Sequence, residues 1–264
     1  PTIVKNSAEI NLGYGTAAAD QNALIGLMAN NGGKLQNNTS GVINVNSKNS
    51  VGIAVMPKVN AGDTESAGIN LGKITVAGEG STGIYNAGEF TMNSGTIEIS
   101  GEKSAAVYGA VNNNNTNLNG GAIKVLGNGI GLLAGDNATI NMTGMSMEVN
   151  NSGLLAYTYK DALTTTSTGH IKITGTVNAD INAGGTAFYL KDDLSQITNF
   201  INNVFTGSGK LNLNMTSPDS RLFILDSPTN DIYLSSSSSS AIESLIPSSK
   251  VSITGTGYKP YAVY

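Results

Sequence analysis

A Gly-x-Ile-x-Val pattern returns along the chain and constrains its fold more than any other feature. It reads Gly41-Val42-Ile43-Asn44-Val45, Gly72-Lys73-Ile74-Thr75-Val76, Gly95-Thr96-Ile97-Glu98-Ile99 and Gly121-Ala122-Ile123-Lys124-Val125. Met145-Ser146-Met147-Glu148-Val149, Gly169-His170-Ile171-Lys172-Ile173, Gly209-Lys210-Leu211-Asn212-Leu213 and Ser249-Lys250-Val251-Ser252-Ile253 extend it. The central residue advances by 31, 23, 26, 24, 24, 40 and 40 residues. A strand this short cannot bury its inner face alone, so successive copies must stack into a continuous core.

Three strand-like segments fill one period, most clearly between residues 72 and 121. Ile74 and Val76 alternate inward about Thr75. The turn Gly78-Glu79-Gly80-Ser81 leads to Gly83-Ile84-Tyr85, and Asn86-Ala87-Gly88 leads to Phe90 and Met92. Second segments recur at 50–55, 104–108, 131–134, 153–157, 187–190 and 222–225, and third segments at Leu118 and at Ala138-Ile140-Met142. Three short strands per coil of about 24 residues describe an all-β fold, a parallel β-helix of about eight rungs. Rungs about 4.8 Å apart give a rod on the order of 38 Å long. Right-handed winding follows from the preference of parallel crossovers. A leucine-rich repeat needs a Leu-x-x-Leu-x-Leu signature that is missing, and propeller blades need longer, antiparallel repeats.

The outward residue between the two inward ones runs Asn44, Thr75, Glu98, Lys124, Glu148, Lys172, Asn212, Ser252. In-register stacking places four of these in a ladder of alternating charge, in which each exposed contact contributes about 0.2–1 kcal/mol. Two insertions, at about 191–206 and 226–248, interrupt residues 1–264, which otherwise form a single unit. Asp192 to Phe205 reads as an amphipathic helix, with Asp193 as cap, Gln196 three residues on, and Leu194, Ile197, Ile201, Val204 and Phe205 as its apolar stripe. It either covers the rod or projects toward a partner. The second insertion, with Ser235 to Ser240 followed by Ala241 to Leu245, reads as a loop with one helical turn. The chain starts at Pro1 and stops at Tyr264 part-way through a coil, and so reads as a fragment of a longer protein.

Composition narrows the chemistry. Charged residues form 12% of the chain against roughly 25% in an average domain, with Asn, Ser, Thr and Gly supplying polarity. The regular Ile, Val and Leu positions argue against disorder. There is no cysteine, hence no disulfide, thiolate ligand or thiol nucleophile. A net charge of −4 disfavours nucleic-acid binding, which needs Lys and Arg against phosphates. No apolar run approaches the roughly 18–20 residues of a membrane span.

Catalytic patterns are weak. His170 is the only histidine, falls on a strand facing solvent, and has no placed acid or Gly-x-Ser-x-Gly elbow. Glu98 and Glu148 stand two rungs apart, near the carboxylate separation of inverting glycosidases, but Lys124 lies between them. Asp219, Asp226 and Asp231 could ligate a hard cation, although loop aspartates more often cap turns. No Gly-Gly-x-Gly-x-Asp calcium repeat, Walker A segment or dinucleotide fingerprint occurs, so neither cofactor nor metal is expected. Asn-x-Ser/Thr triplets such as Asn137-Ala138-Thr139 are as frequent as composition alone produces. Tyr85, Tyr108, Tyr157 and Tyr189 fall at or beside the end of the second segment. They form either an aromatic stack at a corner or a sugar-binding surface, in which ring faces meet pyranoses and neighbouring amides take the hydroxyls.

The Gly-x-Ile-x-Val, Ser-x-Gly-Ile-Tyr and Asn-x-Gly succession resembles the passenger region of bacterial autotransporters secreted by the type V route. Ser81-Thr82-Gly83-Ile84-Tyr85-Asn86-Ala87-Gly88 carries the likeness, and Ser104 to Gly109 echoes it. The Asn-rich, Cys-free and Trp-free style is similar to the giant outer-membrane adhesins of fusobacteria. The resemblance covers residues 10 to 190 well and the remainder loosely. It implies a non-enzymatic, monomeric rod on the cell surface, anchored by a C-terminal barrel outside this chain. Its partners would be a host-cell receptor or glycan, or another bacterium. The Gly-Asp-Ser-Gly nucleophile segment of serine-protease passengers is not here. Binding falls to the two insertions, with Asp226 and Asp231 in the second, and then to the tyrosine corner. A passive stalk spacer and a polysaccharide-acting β-helix enzyme are the alternatives.

Overall fold

Gly-x-Ile-x-Val segments become four-residue strands because alternate side chains of an extended chain point to opposite faces. In Lys73–Val76 and Thr96–Ile99 the second and fourth residues are buried and the others face outward. The computed structural model describes residues 3–14, 21–113, 115–158, 170–182, 184–190, 197–226, 246–255 and 259–263. Among them are twenty-five strands and one helix.

The strands stack in parallel into three sheets, which the chain visits in fixed rotation. One sheet has seven strands, from Ile3–Asn6 to His170–Ile173, and is called here the short sheet. A nine-stranded sheet runs from Glu9–Leu12 to Val251–Thr254 and carries the charged ladder. The other nine-stranded sheet runs from Ile25–Ala29 to Lys259–Val263 and carries the tyrosines. This is a parallel β-helix with three strands per coil. Nine coils are present where the sequence suggests eight, because Glu9–Leu12 pairs ahead of Val42–Val45.

Inside, columns of aliphatic side chains run the length of the rod. Ile43, Ile74, Ile97, Ile123 and Met147 stack in register and are all but inaccessible to solvent. The motif glycine has a steric cause. A Cβ on Gly72 would lie 2.2 Å from the carbonyl oxygen of Gly41, and one on Gly95 would lie 2.4 Å from that of Gly72. At Gly72 and Gly95 one coil's backbone rests directly on the next, so no side chain fits at these two positions.

The first three coils line the same corner with a buried amide ladder. Asn6 Nδ2 donates to Asn37 Oδ1, and Asn37 Nδ2 donates to Asn70 Oδ1, both at 2.9 Å. The next residues in the column are Met92, Leu118 and Met142. At the opposite end of the charged sheet, Ser81 Oγ donates to the carbonyl of Ser47 and accepts from the amide of Ser50. Ser104 Oγ repeats the first bond one coil on, to the carbonyl of Gly78.

The structure corrects the order of the motif. The spacing of the segment at Gly169 to Ile173 predicts that it continues the charged sheet. His170–Ile173 instead pairs with Thr139–Met142 in the short sheet, which puts Lys172 opposite Asn141. The strand that follows Ser146–Val149 in the charged sheet is Thr176–Ile181, so Glu148 adjoins Asp180. The outward column therefore runs Asn44, Thr75, Glu98, Lys124, Glu148, Asp180, Asn214, Thr254. Asn212 and Ser252 pair with each other two residues away from that column. The short and charged walls bury alternate residues in the same way, so the motif does not record which of the two it occupies. The long first step has its own cause in the loop between Val55 and Ala67, closed by a Lys58–Glu65 ion pair at 3.0 Å.

Among the described residues the short sheet has no eighth strand, and a single parallel bridge joins Ile173 to Phe205. In the eighth coil the helix Ile197–Val204 occupies its place in chain order and packs on the strand His170–Ile173. Phe200, Ile201, Val204 and the adjoining Phe205 are buried, while Asn202 and Asn203 face solvent. Phe200 meets Phe188 at 5.2 Å and Phe223 at 6.0 Å between ring centroids, closing the core at this end of the short sheet. The helix covers the rod. Asp193, Leu194 and Gln196, read as its cap and first stripe residue, lie outside the described residues.

Candidate functional site

Outward positions on the tyrosine sheet stack as strictly as inward ones. The strands Thr82–Asn86, Ala105–Gly109, Ile130–Ala134, Leu154–Thr158 and Thr186–Leu190 align Tyr85, Tyr108, Leu133, Tyr157 and Tyr189 in one column. All five are half-buried. Tyr85 and Tyr108 meet edge to face with centroids 5.5 Å apart, and Tyr157 lies on Tyr189 at 4.8 Å with planes inclined by 21°. The four tyrosines thus form two aromatic pairs with Leu133 between them. Pairs of this kind contribute about 0.5–1.5 kcal/mol beyond the area they bury.

The shorter side chain of Leu133 leaves a surface cleft of about 230 Å³, lined by Tyr108, Val111, Leu133, Ala134, Asp136 and Tyr157. Asp136 enters from the turn that ends the strand Ile130–Ala134. Its Oδ1 is buried and has no hydrogen-bond partner. An acceptor left in that state costs about 1–3 kcal/mol, and more when charged. Burial, then Tyr85 and the charge of Asp136, push the Tyr108 phenol above its ordinary value of 10.0. The cleft is therefore a largely apolar slot between two tyrosines, and the unpartnered oxygen of Asp136 is buried rather than open to it. Sequence reasoning missed Leu133, Val111 and Asp136. The alignment of second segments does hold the signal for Leu133, since it replaces a tyrosine in an otherwise tyrosine-rich column.

The other predicted residues lie apart from this cleft. The Tyr189 hydroxyl donates to Asp226 Oδ2 at 2.5 Å, which brings two of the named candidates together at the edge of the column. Asp231 lies outside the described residues, as does the second insertion from 227 to 245. Among the described residues no three acidic or histidine side chains gather where a metal could bind. Glu98 and Glu148 are each within ion-pair distance of a lysine, Lys73 at 2.7 Å and Lys124 at 3.8 Å. His170 is half-buried on the outer face of the short sheet, and burial followed by Lys172 lowers its pKa below 6.5. Arg221 Nη1 donates to the carbonyl of Gly184 at 3.3 Å.

No protein-family model, curated protein or solved structure matches this chain.

Proposed function

We propose that this chain is an adhesin segment of a bacterial autotransporter passenger, a β-helical rod displayed at the cell surface without enzymatic activity of its own. In this reading it attaches its bearer to host cells, host glycans or receptors, or other bacteria, with anchorage supplied by an outer-membrane barrel elsewhere in the protein. The observation that carries the reading is the tyrosine column with its cleft. Amphipathic aromatic side chains on an otherwise amide- and hydroxyl-rich exterior are the groups that anchor interfaces. The candidate carboxylates of a glycosidase are engaged by lysines.

Uniform coils built on a continuous core favour a second reading, a passive spacer that carries a distant tip. The experiment that separates them is binding of the purified chain to epithelial cells, bacterial partners and glycan arrays, beside a Tyr108→Ala/Tyr157→Ala double variant. Attachment by the parent chain that the double variant loses supports the adhesin. A parent chain that binds none of these surfaces is a spacer.

A further inference from the structure

We infer that the outer face of the tyrosine sheet packs on the same face of a second copy of this chain, with the two rods side by side and pointing the same way. The inference rests on the attachment reading for its surface, and it names what that surface attaches to, a bearer of the same chain.

The texture of the strands comes first. Those of the charged sheet alternate, as in Lys73-Ile74-Thr75-Val76, because only one face is dry. Those of the tyrosine sheet are near-continuous apolar runs, such as Val51-Gly52-Ile53-Ala54-Val55 and Ile130-Gly131-Leu132-Leu133-Ala134. Parallel strands read this way when both faces are covered. The core covers the inner face here. The outer face presents two in-register columns. One is Ile25, Val51, Thr82, Ala105, Ile130 and Leu154, and the other is Met28, Ala54, Tyr85, Tyr108 and Leu133. None of these carries a charge or a side-chain amide. The first column turns charged only at Arg221, two strands beyond Leu154. In the same coils the charged sheet turns Thr75, Glu98 and Lys124 outward. Ile25 and Met28, at one end of the face, are 47% and 56% exposed. A long apolar face on an otherwise polar exterior marks an interaction surface.

Area and shape select the partner. Six strands at about 4.8 Å, each of five residues at about 3.3 Å, make a face of about 29 Å by 16 Å. Two such faces bury about 1,000 Å² together, the floor for a specific protein interface. Each strand from the second coil to the fourth pairs a smaller outward residue with a larger one: Ala54 with Val51, Thr82 with Tyr85, Ala105 with Tyr108. A twofold axis along the rod lays the first column over the second of the other copy. Thr82 then meets Tyr85 of the second copy, and Ala105 meets its Tyr108. Small against large is the arrangement in which facing layers interdigitate. An axis across the rod instead sets the tyrosine column against itself. A second copy also brings the same strand repeat, so its contacts stay in step along the whole face, and one symmetric patch serves both partners.

The test uses the whole 264-residue chain. Sedimentation equilibrium should show a monomer–dimer equilibrium with a dissociation constant on the order of 10 µM. Thr82→Glu places a charge in the dry face and should weaken pairing at least about tenfold, whereas Thr75→Glu on the charged sheet should leave it unchanged. The chain has no cysteine, so Thr82→Cys and Tyr85→Cys each carry one thiol. A short phenylene bis-maleimide should link the two variants when mixed and neither efficiently when alone. This comparison decides the matter even if Thr82→Glu fails to fold. A parent chain still monomeric about tenfold above that concentration overturns the inference. So does a dimer indifferent to Thr82→Glu, or linking of either thiol variant alone as efficient as that of the mixture. A monomer that binds phosphatidylcholine vesicles, and loses them with Thr82→Glu, overturns it in favour of a lipid surface. Attachment to cells and to beads coated with the chain is scored in parallel. Attachment to cells by a chain that stays monomeric sinks the pairing and leaves the adhesin; pairing in solution with attachment to neither does the reverse.

Discussion

Glu98 stands in register with Lys124, yet its carboxylate closes on Lys73 of the strand on its other side, 2.7 Å away. Lys124 in turn reaches Glu148 at 3.8 Å. The lysines lean along the rod, so each acid is paired with a cation displaced by about one strand. These are exposed pairs that help hold register, since a slip sets like charges side by side.

Reversing one member should therefore be felt at both neighbours. Glu98→Lys places a cation between Lys73 and Lys124 and is expected to destabilise the fold by about 0.5–1 kcal/mol. The loss should shrink as salt rises, because exposed charges are screened. Urea denaturation at low and high ionic strength measures both effects.

His170 is the only histidine, so its NMR titration is unambiguous. Burial, then Lys172, holds its folded pKa below 6.5, which means the unfolded chain binds the proton more readily. Stability from this group is complete above about pH 6.5 and falls as pH drops from there toward the folded pKa. His170→Gln should flatten the melting temperature across that window. An imidazole titrating above 6.5 in the folded chain contradicts this.

Gly95 has a φ of +88°, and a Cβ there would lie 2.4 Å from the Gly72 carbonyl oxygen. Gly95→Ala combines left-handed strain with a backbone clash and should cost at least about 2 kcal/mol. Gly62 has open space around its missing Cβ, so Gly62→Ala should stay within about 0.5 kcal/mol of the parent. Chemical denaturation of the pair isolates the stacking constraint from a general intolerance of alanine.

Asn37 both accepts from Asn6 and donates to Asn70 inside the corner. Asn37→Ala removes both of these buried bonds and is expected to destabilise by about 2–4 kcal/mol. Hydrogen exchange should show lost protection concentrated in the first three coils, with the Met92 and Leu118 coils less affected.

Much of this architecture was written in the alternation of small and aliphatic residues. Ile74 and Val76 in, Thr75 out, and a glycine at the corner suffice to predict a stacked strand, and the second segments ending at Tyr85 or Tyr157 fell where the pattern placed them. The misplacement of His170–Ile173 shows the limit. The short and charged walls share one motif, so only chain order and insertion length distinguish them, and here the spacing coincided with a full coil. The cleft was half-visible. Its tyrosines were named from position, whereas the unpartnered Oδ1 of Asp136 depends on how a turn side chain settles, which no periodicity encodes. The helix was foreseen as an apolar stripe, but Phe200, which fills the gap beside Phe188 and Phe223, was not among the residues named for it.

The early end of the short sheet has a mechanical consequence. Strands lie across the rod, so the bonds between successive coils run along its length, and a pull from end to end opens them one layer at a time. Seven layers are fastened on three sides. Beyond His170–Ile173 only two sheets continue among the described residues, and the third side is held by a single Ile173–Phe205 bridge and by aromatic packing of Phe188, Phe200 and Phe223. Under tension the rod should yield first at that junction, which makes the terminal coils a fuse that parts while the remainder holds.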